Sequence, residues 1–271
     1  MSYSANVQTG APLGVGAIVS ESFSILMRHF VSVILLALIP TLIGFVLSGL
    51  LTGWEVALGL SQPVYDGFGS VIPTILSTII QMVAYGISTA LLVQMAYDAK
   101  LGRPLKLGQY VNPAMSAAVP IAILSIASGI MIAFGFIALI IPGLWIYAVF
   151  SMMPAAVVIE KVGFGGLGRS AALTKEYRWP ILGATFLILI INVLIGLVTG
   201  FIVGLVLVAL GDGMATIVVA VLLFSVISSI GTGLGSIAVA LIYARLREIK
   251  EGTSVRDIAA GDRGVVDVLV N

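Results

Sequence analysis

The side chains of this sequence that could carry acid–base chemistry lie at the ends of its apolar runs, not inside them. The single histidine, His29, follows Arg28 directly, so we expect an interfacial side chain there and no histidine base beside a serine nucleophile. One histidine and no cysteine exclude a histidine-rich or thiolate metal site. Glu160, Lys161 and Arg169 are the most convenient titratable set for an enzyme. Ionisable groups within a membrane usually mark proton relays and substrate pathways. Because the runs lack them, we predict no catalytic residue, no metal site, no cofactor and no enzymatic activity.

The composition places the chain in a membrane. Of 271 residues, 60% are hydrophobic and 9% are charged, whereas a soluble domain carries about 25% charged residues. Several apolar runs exceed the roughly 18 residues that mark a transmembrane helix, and long uncharged runs favour helices over barrel strands. We therefore predict an all-α polytopic membrane protein. The net charge of +1 is uninformative, and we expect no nucleic-acid partner.

Six transmembrane helices are predicted from the apolar runs. They cover residues 30–51, 71–97, 119–141, 144–159, 180–210 and 214–243. A flexible N-terminal tail (1–12) and a C-terminal tail (251–271) flank a membrane domain (13–250). A tight turn at Pro142-Gly143 separates the third span from the fourth, and Pro180 opens the fifth. The fourth span is short for a bilayer core of about 30 Å.

The positions of the charges predict the orientation. All 13 Lys and Arg residues lie before the first span, between the second and third, between the fourth and fifth, or after the sixth. The other three loops carry only Glu55, Asp66 and Asp212 as charges. By the positive-inside rule, both termini lie in the cytoplasm. We expect a bacterial cytoplasmic membrane.

A threefold internal repeat of helical hairpins is indicated by three short surface segments, each of which leads into a hairpin. The segments are 15–29, 107–116 and 165–179. For residues 15–29 two interpretations stay open, an interfacial helix lying on the membrane or a cytoplasmic extension of the first span.

One stretch of about a sixth of the chain resembles a known bacterial family. It contains Pro142-Gly143-Leu144-Trp145, Pro154, Ala155, Glu160, Arg169-Ser170, Leu173-Thr174-Lys175 and Trp179-Pro180. It is similar to the membrane domain fused to some glycerophosphodiester phosphodiesterases and to related stand-alone bacterial membrane proteins. The resemblance implies a six-helix bundle with surface helices. It does not imply the phosphodiesterase reaction, which belongs to a separate soluble domain.

Glycines and a few polar side chains interrupt the spans. Gln81 and Asn192 are interpreted as interhelical hydrogen-bonding groups, with a role in a solute pathway as the alternative. Stripes of small residues let helices approach closely. We favour packing of the fifth span against the sixth over docking of a partner or second copy. The stripe glycines are Gly196, Gly200, Gly204, Gly231 and Gly235.

The basic segment before the fifth span predicts contact with the membrane surface. Arg169, Lys175 and Arg178 could bind anionic lipid headgroups, and Trp179 would lie at headgroup depth. Simple anchoring of the chain is the plainer interpretation and the one we prefer.

The leading functional hypothesis is a non-catalytic scaffold or accessory subunit of a membrane complex, with lipid-headgroup contacts on the cytoplasmic side. Its partners would be membrane lipids and other membrane subunits or a second copy. A transporter or channel for a lipid or small apolar solute is the alternative, and it predicts a cavity lined by Gln81 and Asn192. A lipid enzyme is the third hypothesis.

Overall fold

The computed structural model describes residues 12–64, 67–211 and 213–252, and these residues form helices and connecting turns without a strand. The predicted all-α class is confirmed. The helices are α1 (Val15–Arg28), α2 (Phe30–Thr52), α3 (Trp54–Ala57), α4 (Phe68–Lys100), α5 (Val111–Ala138), α6 (Ile140–Phe150), α7 (Met153–Ile159), α8 (Gly166–Thr174), α9 (Arg178–Leu210) and α10 (Met214–Glu251). Short 3-10 turns precede α5 (Leu107–Tyr110) and α8 (Gly163–Gly165).

Six helical segments of the described chain are long and apolar enough to cross a membrane, as predicted; α6 and α7 together make the fourth. Helices form here because a backbone in lipid must satisfy its polar groups within its own segment. The last segment extends beyond its predicted end at residue 243, because α10 continues to Glu251 and ends at Gly252 in the left-handed region. Residues 1–11 and 253–271, most of the two predicted tails, lie outside the described residues.

The predicted turn at Pro142-Gly143 is not where the hairpin reverses. Helix α5 ends at Ala138, the extended residue Leu139 makes the connection, and α6 begins at Ile140. Pro142 is tolerated inside the first turn of α6 because the amide groups of that turn need no intrahelical partner. Gly143 instead permits close packing, since a Cβ atom there would lie 2.5 Å from the ring of Phe136.

The fourth span is broken because of Pro154. A proline ring clashes with the carbonyl four residues earlier, here that of Phe150, the last residue of α6. Ser170 on α8 repairs the break. Its hydroxyl donates to the Val149 carbonyl at 2.6 Å and accepts from the Met152 amide at 3.2 Å. Two backbone groups at the break, the Val149 carbonyl and the Met152 amide, are thus satisfied by a neighbouring helix.

The three predicted surface segments take different forms. His29 separates α1 from α2, and α1 packs Ile18, Ile25 and Leu26 against the bundle, mostly on α10 and α9. Residues 107–116 are not a separate helix, because the 3-10 turn runs directly into α5. The segment 165–179 contains the short helix α8 and the turn that leads into α9.

The best-packed part of the core lies beside the ends of the helices that carry the charges. Large side chains such as Leu92, Met95, Tyr243 and Leu246 are fully buried there. Helix α9 is the most peripheral span, since only 11% of its most apolar stretch is buried. Its outward apolar face is therefore available to lipid or to another protein.

Candidate functional site

A cluster of four charged side chains and one tyrosine joins three helices at one end of the bundle. Arg169 donates two hydrogen bonds to the Glu160 carboxylate, both at 2.7 Å, and it also pairs with Glu251. Arg247 lies 2.8 Å from Glu251 and 3.4 Å from Glu160. The Tyr243 hydroxyl donates to Glu160. We call these five residues the charge cluster.

Helix periodicity explains how the charge cluster is assembled. Tyr243, Arg247 and Glu251 are four residues apart on α10, so they lie on one face of that helix. Glu160 is the residue that ends α7. Lys161 then takes a left-handed backbone, with φ of 54°, and the turn that follows brings Arg169 on α8 back to Glu160. The cluster therefore fixes α7 and α8 to the end of α10.

The charge cluster has no net charge and is largely buried. Its two carboxylates and two guanidinium groups cancel, and their side chains are only 16–26% exposed. The hydrogen bonds that Arg169 donates to the Glu160 carboxylate raise the pKa of Arg169 above its ordinary value. A group whose pKa is raised on folding stabilises the fold fully at every pH below its pKa in the unfolded chain. For an arginine that range includes neutral pH, so the charge of Arg169 does not make the stability pH-dependent near neutrality.

The structure gives Arg169 a different role from the predicted headgroup contact. Its guanidinium is committed to two carboxylates and would have to leave both to bind a phosphate. Of the convenient set in the sequence, Glu160 and Arg169 are brought together, whereas Lys161 is exposed beside them. Ion pairing of this kind joins the end of α7 to α8 and α10.

Lys250 holds the turn between α8 and α9. Its ammonium donates to the carbonyls of Ala172 at 3.1 Å and of Lys175 at 2.7 Å, and it lies 5.9 Å from the ring centre of Tyr177. Ala172 lies in the last turn of α8 and Lys175 directly follows the helix, so these carbonyls have no partner within the helix. The predicted headgroup residue Lys175 is exposed on this turn.

Two tryptophans and an arginine meet where α9 begins. The Arg178 guanidinium lies over the ring of Trp145, 4.8 Å from its centre, and Trp179 meets Trp145 edge-to-face with 5.8 Å between the ring centres. Trp179 is 63% exposed. The Nε atom of Arg178 is buried and has no hydrogen-bond partner among the described residues. Arg178 and Trp179 thus share one aromatic contact with Trp145, while Arg169 belongs to the charge cluster.

A cavity of about 240 Å³ opens between α4, α6, α9 and α10, further along the spans. Its polar lining comes from Tyr85, Tyr147, Thr185, Asn192 and Thr232, and most of the remaining wall is aliphatic. The Tyr147 hydroxyl is within hydrogen-bonding reach of Thr185. Such a mixed lining suits an apolar ligand with a few hydrogen-bonding positions.

The two predicted pathway residues lie apart. Asn192 lines the cavity and donates to the carbonyl of Ile188 at 2.9 Å. Gln81 instead joins α4 to α2 by donating to the Ser48 hydroxyl at 3.1 Å, and its side chain covers Gly44. The predicted combination of Gln81 and Asn192 in one cavity is therefore wrong.

The predicted glycine stripes divide into two groups. A Cβ atom at Gly231 would collide with the Asn192 side chain, so α9 and α10 approach closely at this glycine, as expected. At Gly196, Gly200 and Gly204 a Cβ atom would meet nothing within 4 Å in the part of the chain that the structure describes. The preferred interpretation, packing against the sixth span, is wrong for these three. Gly235 also faces open space, on the wall of the cavity.

Sequence reasoning missed most of the site. The sequence pattern places Tyr243 at the end of the sixth span and Glu251 in the C-terminal tail, and it assigns no role to Arg247. Their spacing of four was a usable signal for a shared helix face. Tyr85 and Tyr147 were also missed, although tyrosine in the middle of an apolar run needs a partner for its hydroxyl. In the described ranges, no group of three or more acidic or histidine side chains could hold a metal ion.

Comparison with known proteins adds no relative. No protein-family model, no curated protein and no solved structure matches this chain.

Proposed function

We propose that this protein is a non-catalytic scaffold or accessory subunit of a membrane complex, and that it docks a partner on the outward face of α9. The observation that carries the proposal is the open glycine stripe. Gly196, Gly200 and Gly204 lie in a row on the least buried span, and a Cβ atom at any of them would meet no described residue within 4 Å. Small residues on a lipid-facing surface let a second helix approach closely, which is how helices associate without a hydrophobic driving force.

The same proposal includes lipid-headgroup contacts and a membrane location. Lys175, Arg178 and Trp179 lie at the end of the bundle that carries the charge cluster, and the distribution of basic residues favours the cytoplasmic side of a bacterial inner membrane, with both termini there. We interpret α1 and α8 as interfacial helices, and the three hairpins as copies of one repeat. Similarity to the phosphodiesterase-linked membrane domains also remains part of the proposal.

Absence of catalysis is proposed because the most convenient titratable groups are used structurally. Glu160 and Arg169 bind each other within a neutral cluster, so neither is free to act as a base or to bind substrate. A lipid enzyme would need another set of groups.

Photocrosslinking tests the docking face. The sequence contains no cysteine, so Gly200→Cys would carry a single benzophenone-maleimide label in native membranes. We expect a crosslinked product of higher mass, whose size distinguishes a second copy from another subunit. The control is Ile39→Cys on α2. Ile39 is 62% exposed, and its helix carries no glycine stripe. Equal labelling of lipid alone at both positions would contradict the proposal.

A transporter of a lipid or small apolar solute is the second candidate, and the cavity beside Asn192 favours it. Asn192→Leu would then reduce flux of the solute in proteoliposomes, whereas Gln81→Leu would leave flux unchanged at equal amounts of folded protein.

A further inference from the structure

We infer that the cavity and the basic turn before α9 together form a binding site for one anionic phospholipid. The phosphate would lie against Arg178 and Lys175, and one acyl chain would enter the cavity between α4, α6, α9 and α10. The inference deepens the lipid part of the proposed function and rests on it, but it is independent of docking on α9.

The two halves of the site are aligned along one helix face. Arg178 and Thr185 are seven residues apart on α9, which is close to two turns, so they lie on the same face about 10 Å apart. Thr185 lines the cavity. Helix α6 contacts both halves of the site, because Trp145 contacts Arg178 and Tyr147 lines the cavity. A phosphate at Arg178 would therefore direct the attached chain along α9 toward the cavity.

Charge complementarity identifies the headgroup as anionic. Lys250 donates to the Lys175 carbonyl, and the charges of Lys175, Arg178 and Glu176 all act on its ammonium group, so three cations and one acid lie near this turn. The Nε atom of Arg178 is buried without a partner in the described ranges, so an acceptor oxygen would satisfy it. Arginine on an aromatic ring is well suited to phosphate, because its planar fork can hydrogen-bond while its face stacks.

The size and lining of the cavity fit a piece of a lipid better than a whole soluble ligand. Its volume of about 240 Å³ is below the roughly 300–1,000 Å³ of sites that enclose drug-sized molecules. Ala184, Ile188 and Val239 contribute aliphatic surface. Together with Trp179 at headgroup depth, this places a hydrocarbon segment inside and a charged group at the rim.

Native mass spectrometry of the full chain in mild detergent tests the site with phosphatidylglycerol, with phosphatidylcholine and with inorganic phosphate as separate probes. We expect one phosphatidylglycerol molecule to be retained preferentially. Each basic residue near a charged surface is worth about 1 kcal/mol, so Arg178→Gln with Lys175→Gln should weaken retention roughly thirtyfold. The charge-matched control is Lys106→Gln with Arg245→Gln, which removes two cations elsewhere.

The acyl-chain half is tested separately by Gly235→Leu. A Cβ atom at Gly235, on the cavity wall, would meet no described atom within 4 Å, so we expect the leucine to occupy the cavity and displace the lipid without disturbing the fold. Gly183→Leu on α9, also in open space but not part of the cavity lining, is the control. The inference is overturned if phosphatidylcholine is retained equally, if phosphate alone binds as tightly, or if Gly235→Leu leaves retention unchanged. The two proposals can fail separately. Crosslinking through Gly200→Cys without selective lipid retention would support docking alone, and selective retention without crosslinking would support the lipid site alone.

Discussion

The ion pair between Glu160 and Arg169 provides a quantitative test of the charge cluster. Glu160→Gln removes the negative charge and one of the two oxygens that accept hydrogen bonds from Arg169 at 2.7 Å, so Arg169 keeps Glu251 as its charged partner. Removal of one partner from a fully buried pair costs about 3–5 kcal/mol, whereas an exposed pair is worth about 0–1 kcal/mol. Because these side chains are 17% and 26% exposed, we expect each single substitution to cost about 2 kcal/mol.

The double variant Glu160→Gln with Arg169→Gln should cost less than the sum of the two singles. It removes one charge of each sign and leaves the 2.8 Å pair of Arg247 and Glu251 in place, so the cluster stays neutral. We expect a coupling free energy of about 1–2 kcal/mol, since contacting residues in one network couple by about 0.5–3 kcal/mol.

The assay is reversible unfolding by sodium dodecyl sulphate from mixed micelles, followed by circular dichroism. Arg245 and Glu248 provide the control pair: they lie 2.6 Å apart but are 36% and 44% exposed, and their coupling should be about 0.5 kcal/mol or less. If Glu160 and Arg169 show additive effects within about 0.5 kcal/mol, or no more coupling than the control pair, the charge cluster does not stabilise the bundle.

Two further substitutions test how the broken and closely packed helices are held. Ser170→Ala should destabilise the protein by about 1–3 kcal/mol, because backbone groups at the break in the fourth span lose their partner. The control is Ser116→Ala, which removes an exposed hydroxyl that bonds its own helix and should lower the unfolding free energy by much less. Equal effects of the two substitutions would argue that Ser170 does not stabilise the break. Gly143→Ala should cost about 1–3 kcal/mol because the added methyl group forces α5 and α6 apart. The control is Gly129→Ala, whose methyl group meets no described atom within 4 Å and should be neutral or stabilising. Equal stability of these two variants would refute the close approach of α5 and α6 at Gly143.

The fold was predictable from the sequence to the level of individual spans, because lipid imposes a simple requirement on apolar runs. The error at Pro142 has a physical cause: a proline-glycine pair is typical of a turn, but the first turn of a helix accepts proline equally well. Only the packed structure shows that Gly143 serves the approach of Phe136.

The site was less predictable because its residues come from distant parts of the chain. Glu160 and Glu251 are held by the same arginine, Arg169, and nothing local in the sequence relates them. Likewise, the sequence shows that Gly196, Gly200 and Gly204 are four residues apart and so share one helix face. It does not show whether another helix of the chain covers that face.

The length of α10 has a mechanical consequence. Its 38 residues span about 57 Å, nearly twice a hydrocarbon core of about 30 Å, in one uninterrupted rod. Ile242 forms part of the cavity wall, and the next residue, Tyr243, is bonded to Glu160. Any tilt or rotation of this rod that widens the cavity must therefore also pull on the link to α7, so the two regions move as one body.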